Sequence, residues 1–258
     1  MPLIRLTLLI MLSGSLAAAA GEYVIGVESQ DYYPHYDFTH RDGARASYTT
    51  EVFALFSRHS GHQFVFLPLP IKRARQELFE GDTIDLLYPD NPAWADFQST
   101  GMRRVYSSPL VNILGGTMVR PPDYGKGVAN FHVLAVPRGF TPIEWLKLKQ
   151  GKPFRVVEVP DALSALEMVL LGRADGADVE FNVARHLLSE MGQSGMLVMD
   201  PGLPLSAVGF HLSTIEHVGL IKEFDRFLSE HQAQIQQLKQ HYKLIEALAP
   251  PSSEQIAR

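Results

Sequence analysis

Apolar and polar positions along this chain switch between two periods. Residues 23–27 form a short apolar run that predicts a buried strand. A polar, aromatic stretch follows, Asp31-Tyr32-Tyr33-Pro34-His35-Tyr36, and then a turn at Asp42-Gly43. Residues 50–59 place Val52, Phe53 and Phe56 on one face, with Gly61 just beyond, so they predict a helix with a C-terminal stop. Residues 63–69 read as a strand, 71–79 as a short helix closed by Gly81, and 84–88 as a strand. The order βαβαβ predicts a parallel sheet with right-handed crossovers.

The same alternation resumes near residue 131. Residues 133–136, 154–159, 177–181 and 196–199 read as strands. Thr141-Pro142-Ile143-Glu144 has the composition of a helix start, with Thr141 as cap and Pro142 in the first turn. Asp161 caps a helix whose apolar face carries Leu163, Leu166, Val169 and Leu170, ended by Gly172. Another helix spans 183–191 and stops at Gly192. Ser213-Thr214-Ile215-Glu216 reads as a capping box opening one long helix to about Lys243. Residues 111–119 and 207–212 are extended and not turn-like, which suits paired strands crossing between two lobes. A cleft between two such lobes, fed by loops at the carboxyl ends of strands, is where a ligand is expected.

Composition narrows the class. The chain has 258 residues, 46% hydrophobic and 20% charged, with a net charge of −5. That is enough chain to bury a core, and no basic field exists to attract nucleic acid. Cysteine is absent, which excludes disulfides, thiolate metal sites, cysteine nucleophiles and lipid attachment through cysteine. Residues 1–20 combine Arg5, an apolar run over 6–12 and Ala18-Ala19-Ala20, the pattern of a signal peptide cleaved near Gly21. Export to a periplasm is therefore expected. Residues 250–258 read as a loose tail. The ten histidines show no convincing metal spacing; His59 and His62 flank Gly61 at a helix end. No Gly-x-Ser-x-Gly, P-loop or His-Glu-x-x-His sequence is present, so no cofactor, metal or covalent catalyst is expected.

Four short motifs, in order, carry a resemblance. Residues 23–28 are followed by Tyr33-Pro34 and Asp42-Gly43. Leu69-Pro70-Ile71-Lys72-Arg73-Ala74-Arg75 leads to Leu78, Gly81 and Ile84-Asp85. Then come Tyr106-Ser107-Ser108-Pro109-Leu110 and Gly172-Arg173-Ala174-Asp175-Gly176. Together they resemble the family 3 periplasmic solute-binding proteins, the amino-acid-binding components of ABC importers, over roughly residues 22–245. The resemblance implies a type II, two-lobed periplasmic-binding-protein fold, each lobe a mostly parallel sheet flanked by helices, joined by two strands. It implies lobe 1 over 21–112, lobe 2 with the crossover strands over 113–210, and completion of lobe 1 by 211–258. It also implies a monomer working with an inner-membrane permease or a sensor.

Where this family shows a carboxylate-binding arginine, after the third strand, the chain reads Tyr88-Pro89-Asp90-Asn91-Pro92-Ala93-Trp94-Ala95-Asp96. Arg73, Arg75 and Arg138 are the rival positive charges, each of which could equally face solvent. The family's lobe-2 acid, which receives an ammonium group, falls on Glu180. Tyr32, Tyr33 and Tyr36 are placed to stack on a ligand, and Tyr88 and Trp94 either do the same or pack their loop. Thr141 heads a helix whose start favours an anion, or only caps it. Glu180, read as a strand end outside the core, is expected to serve binding with little part in folding. The resulting expectation is a solute-binding protein for a small polar solute, amino-acid-like or a related amine or organic acid, with no catalytic residue. The alternatives are a cyclohexadienyl-dehydratase-like enzyme using Glu180 as its acid, and a sensory or accessory binding protein independent of transport.

Overall fold

The computed structural model describes residues 20–39, 45–94, 103–148 and 154–247. The signal-peptide pattern before residue 20, the Asp42-Gly43 turn and the tail at 250–258 lie outside the described residues.

The chain begins with β1 (Glu22–Glu28), a small ribbon of β2 (Asp31–Tyr32) and β3 (Tyr36–Asp37), helix α1 (Tyr48–Ser60) and β4 (Gln63–Leu69). Helix α2 (Ile71–Glu80) and β5 (Leu86–Asp90) follow, then a 3-10 turn at Pro92–Trp94, β6 (Val105–Tyr106) and β7 (Val111–Val119). The second half holds β8 (Val133–Pro137), α3 (Ile143–Leu148), β9 (Arg155–Val159), α4 (Ala162–Leu170), β10 (Gly176–Glu180), α5 (Phe181–Glu190) and β11 (Val198–Met199). Strand β12 (Leu205–Thr214) and helices α6 (Val218–Glu230) and α7 (Gln232–His241) complete the described chain.

Local chemistry sets these boundaries. Ser47 and Thr50 form a reciprocal capping box at the start of α1, and Gly61 ends the helix at φ 81°, a conformation that a side chain would strain. Asp161 caps α4 by accepting from the Ser164 amide at 2.7 Å. The expected helix from Ser213 is corrected: Ser213 and Thr214 finish β12, and the helical run is broken at His231 into α6 and α7. Backbone pairing explains the first difference. Ser213 faces Leu87 on β5 and Tyr106 on β6, so its amide and carbonyl surroundings belong to a ladder. Asp175 accepts from the His132 and Val133 amides at 2.7 and 2.8 Å and ties the turn after α4 to the start of β8.

The sheet runs β4-β1-β5-β12-β7-β10-β8-β9. On one side β1 is parallel to β4 and β5; on the other β8 is parallel to β9 and β10. These are the two α/β units, and the antiparallel strands β7 and β12 join them. β12 pairs with β7 from Leu205 to Phe210, and from His211 onward its partner is β5, with a register shift at that point. This is the two-lobed α/β architecture with a two-strand connection.

The first half is packed by an aromatic cluster in which Phe53 stacks on Phe224 with centroids 5.5 Å apart, and Phe56 touches both Phe224 and Phe227. Each fully buried ring stabilises by roughly 1.5–3 kcal/mol. The second half has its own centre at Trp145, wedged between Phe131 and Phe154. The Trp145 indole N–H donates to Thr117 Oγ1 at 2.9 Å, so its one polar atom is satisfied in the core. Among the described residues no helix is long and apolar enough to cross a membrane.

Candidate functional site

A cavity of about 510 Å³ opens where the carboxyl ends of β1 and β10 meet the connecting strands. Its walls come from both halves. The first half contributes Glu28, Tyr32, Tyr36, Arg75 and Trp94; the second contributes Phe140, Thr141, Asp178 and Glu180. β7 and β12 form the floor, with Gly115 and Ser206 paired there. A Cβ on Gly115 would meet Ser206 Oγ, which would have to turn away, so glycine leaves room for that hydroxyl beside the cavity.

Buried acids dominate the site. Glu28 ends β1, is 8% exposed and accepts from the Tyr36 hydroxyl at 3.2 Å. Burial pushes its pKa up to about 7, although the Tyr36 hydrogen bond and the Arg75 charge both oppose this. Asp178, on β10, is likewise pushed up to about 7, by burial alone. Glu180 is 2% exposed. One of its oxygens accepts from the Val183 amide at 2.8 Å and so caps α5; the other accepts from Asn182 Nδ2 at 2.8 Å. His35 Nε2, fully buried, lies 3.1 Å from Glu180 Oε2 without the alignment of a hydrogen bond. Burial and the Glu180 charge also hold the Tyr32 hydroxyl well above its ordinary range, so it stays a protonated donor.

At the rim, Lys147 donates to Glu144 at 2.6 Å and the two cancel. Three carboxyl groups then face one guanidinium, that of Arg75. The aromatic walls are continuous: Tyr32 stacks on Tyr36 and on Phe140, and Trp94 meets Phe210 edge-on.

The nine residues singled out in the sequence divide in two. Tyr32, Tyr36, Trp94, Thr141 and Glu180 line the cavity. Tyr33 instead packs on His186 at 4.4 Å and under the Arg45 guanidinium at 4.0 Å. Tyr88 is fully buried behind the cavity, its hydroxyl accepting from Thr49 Oγ1 at 3.3 Å. Arg73 points to solvent, its side chain 69% exposed beside Glu77, and Arg138 is exposed too. Thr141 does not cap a helix through its side chain: α3 starts at Ile143, and it is the Thr141 carbonyl that accepts the Ile143 amide. The expectation that Glu180 plays little part in folding is corrected, because its carboxylate is buried and caps α5. Glu28, Asp178 and Phe140 had not been singled out as site residues. Their sequence signal is weak: Glu28 directly follows a predicted strand, Phe140 stands in the loop after another, and Asp178 lies inside a third.

A second hollow, of about 770 Å³, lies between the segment at Ser108 and helices α6 and α7. It is shallow, and its charged groups are already engaged: Asp225 accepts the Ser108 amide and Lys239 pairs with Glu246. Among the described residues no three His, Asp or Glu side chains gather as a metal site. His62 instead accepts the Gly21 amide and pairs with Glu223.

No family model matches this sequence, and no curated protein does. Solved structures do match. An arginine transport-system periplasmic binding protein from Legionella pneumophila is 12% identical with a TM-score of 0.67, covering 86% of this chain and 100% of its own. A histidine kinase sensor domain with similarity to periplasmic binding proteins is 19% identical, TM-score 0.69, covering 89% and 98%. An ancestral amino-acid-binding protein, a precursor of cyclohexadienyl dehydratase, is 15% identical, TM-score 0.64, covering 86% and 95%. The chain therefore has the periplasmic-binding-protein fold.

Proposed function

We propose that this protein is an exported solute-binding protein that captures a small organic cation, an amino-acid-like amine, in the cavity between its halves. One observation carries the reading: three carboxyl groups, those of the buried Glu28 and Glu180 and the half-buried Asp178, line a cavity with a single guanidinium inside an aromatic enclosure. A bound ammonium or guanidinium supplies the charge that desolvated carboxylates lack, and ring faces attract the same groups. The fold supports capture by closure, with residues 21–112 and 211–258 moving against 113–210 about β7 and β12. The L. pneumophila protein named for arginine transport and the sensor domain make an ABC permease or a sensor kinase the fitting partner of a monomer.

A thermal-shift screen over arginine, lysine, ornithine, diamines, neutral amino acids and organic acids tests this. At a hundredfold excess over Kd a cationic member should raise the melting temperature by about 5–10 °C. A panel in which only neutral or anionic molecules stabilise the protein would overturn the cationic reading. The export half of the proposal predicts a periplasmic N-terminus within a few residues of Gly21.

The acids near pH 7 also favour a second reading, a dehydratase on this fold, since a protonated carboxyl there is a ready general acid. Incubation with prephenate or arogenate separates the two: a new aromatic product would establish the enzyme.

A further inference from the structure

Helix α7 belongs with the first half: it packs on α1, and the Tyr242 hydroxyl just past its end donates to Glu51 Oε1 at 2.7 Å. The chain then reverses. Lys243 stands at φ 53°, its amide donates to the Gln240 carbonyl and the Leu244 amide to the Lys239 carbonyl, the paired bonds of a helix stop whose left-handed position glycine usually takes. A lysine there is strained, and such strain persists only where surrounding contacts fix the backbone. Those contacts come from beyond the first half. Asn182, in the first turn of α5, makes a two-way bridge to Ile245: its Oδ1 accepts the amide at 2.8 Å and its Nδ2 donates to the carbonyl at 2.9 Å. Glu246 accepts the Asn112 amide of β7 at 2.7 Å and is itself held by Lys239. Asn182 is 3% exposed, and the same Nδ2 donates to Glu180 Oε1 at 2.8 Å. Both N–H groups and the oxygen of this buried amide are thereby engaged.

We propose that residues 243–246 form a strap between the halves, beside β7 and β12, and that Asn182 is the positioning residue that ties this strap to the cavity. The docked strap holds Asn182, and Asn182 holds one oxygen of Glu180, which lines the cavity. An undocked strap leaves Asn182 free to turn toward its own vacated partners, and Glu180 loses one of the donors that aim it. A ligand on Glu180 and a docked strap therefore favour each other, and linkage makes the two effects equal in size. The choice of ligand rests on the cation-capture reading; the strap and its tie to Glu180 do not.

The test pairs calorimetric titration with hydrogen exchange at single amides, using arginine, lysine and cadaverine as probes on the full chain. Ile245→Pro removes the strap's donor and leaves every cavity side chain in place. It should weaken binding of the probe that wild type takes up by about fivefold or more, the lower end of ordinary coupling between sites. In wild type that same probe at saturation should slow exchange of the Ile245 amide by a matching factor, while the Leu244 amide, bonded within the helix stop, should change far less. Unaltered affinity in Ile245→Pro would overturn the proposal. So would an Ile245 amide that responds to the probe no more than the Leu244 amide does, a result that needs no variant. If none of the three probes binds wild type, the cation-capture reading fails, and the strap is judged without ligand. Glu180→Gln weakens the acceptor of the Asn182 bond and should then speed exchange at Ile245 more than at Leu244. Equal exchange in this variant and wild type would end the proposal.

Discussion

Tyr32 and Phe140 stack with ring centroids 5.6 Å apart and 20° between their planes, although one belongs to the β2 ribbon of the first half and the other to the loop after β8. The contact joins the two halves beside the cavity that both rings line. An aromatic pair of this kind contributes about 0.5–1.5 kcal/mol beyond the area it buries. Phe140→Ala should therefore weaken ligand binding by about 2- to 12-fold. Solution scattering should show a larger ligand-bound radius of gyration than in wild type. An unchanged affinity would mean the stack is packing alone.

Glu180 serves two ends at once. It caps α5 and it lines the cavity. Glu180→Gln keeps the size but exchanges a carboxylate for a poorer acceptor at the helix start, and should cost about 1–2 kcal/mol of stability. That is a fall of roughly 2–8 °C in melting temperature. Affinity for a cationic ligand should drop about 10- to 150-fold, the worth of a charge-assisted hydrogen bond. Urea unfolding and ligand titration of the same variant check both halves.

Proton linkage follows from Glu28 and Asp178. Burial holds both near 7, so the folded state binds their protons more tightly than the unfolded chain does. Stability from this source is fully present below the ordinary carboxylate range and is lost as pH rises to about 7. Unliganded protein should accordingly melt at lower temperature at pH 7 than at pH 5. Binding of a cation runs the other way, because it favours the ionised acids. Kd should fall by up to about tenfold per pH unit for each acid that must ionise, and level off above pH 7. Glu28→Gln should flatten part of that slope.

Asp90 and Arg104 make a buried ion pair that ties the end of β5 to the segment just before β6, and Ser213 brings β12 to the same carboxylate. Asp90 Oδ2 accepts from Arg104 Nη1 at 2.8 Å and from Ser213 Oγ at 2.7 Å, with both charged side chains nearly inaccessible. Arg104→Met strands the carboxylate and should cost about 3–5 kcal/mol, or roughly 6–20 °C. The double variant with Asp90→Asn should recover a good part of that loss. Calorimetry on the two variants decides it.

Sequence periodicity reached the parallel strands and their helices because each buries a run or a face with its own stop signal, as Gly61 does for α1 and Asp161 for α4. It misjudged the segment from Ser213, where a Ser-x-x-Glu pattern suits a cap but β5 and β6 lay claim to the backbone from elsewhere in the chain. The cavity was only half legible. Tyr32 and Tyr36 stand in a conspicuous aromatic loop, whereas Glu28 and Asp178 matter through desolvation, which depends on what the other half places above them. Between Arg73 and Arg75 no local rule decides: two positions along α2 turn one side chain to water and the other to the cavity.

Strand β12 also bears on the order in which the molecule can be made. β5 ends at residue 90, but the strand that completes its edge does not begin until residue 205. A growing chain thus carries two open sheet edges, on β5 and on β7, from the end of β7 at residue 119 until β12 begins at residue 205. Neither half is finished until the last of β12 has emerged. A polypeptide released short of that point would offer both edges to other chains and would be a natural target for holding chaperones and proteases.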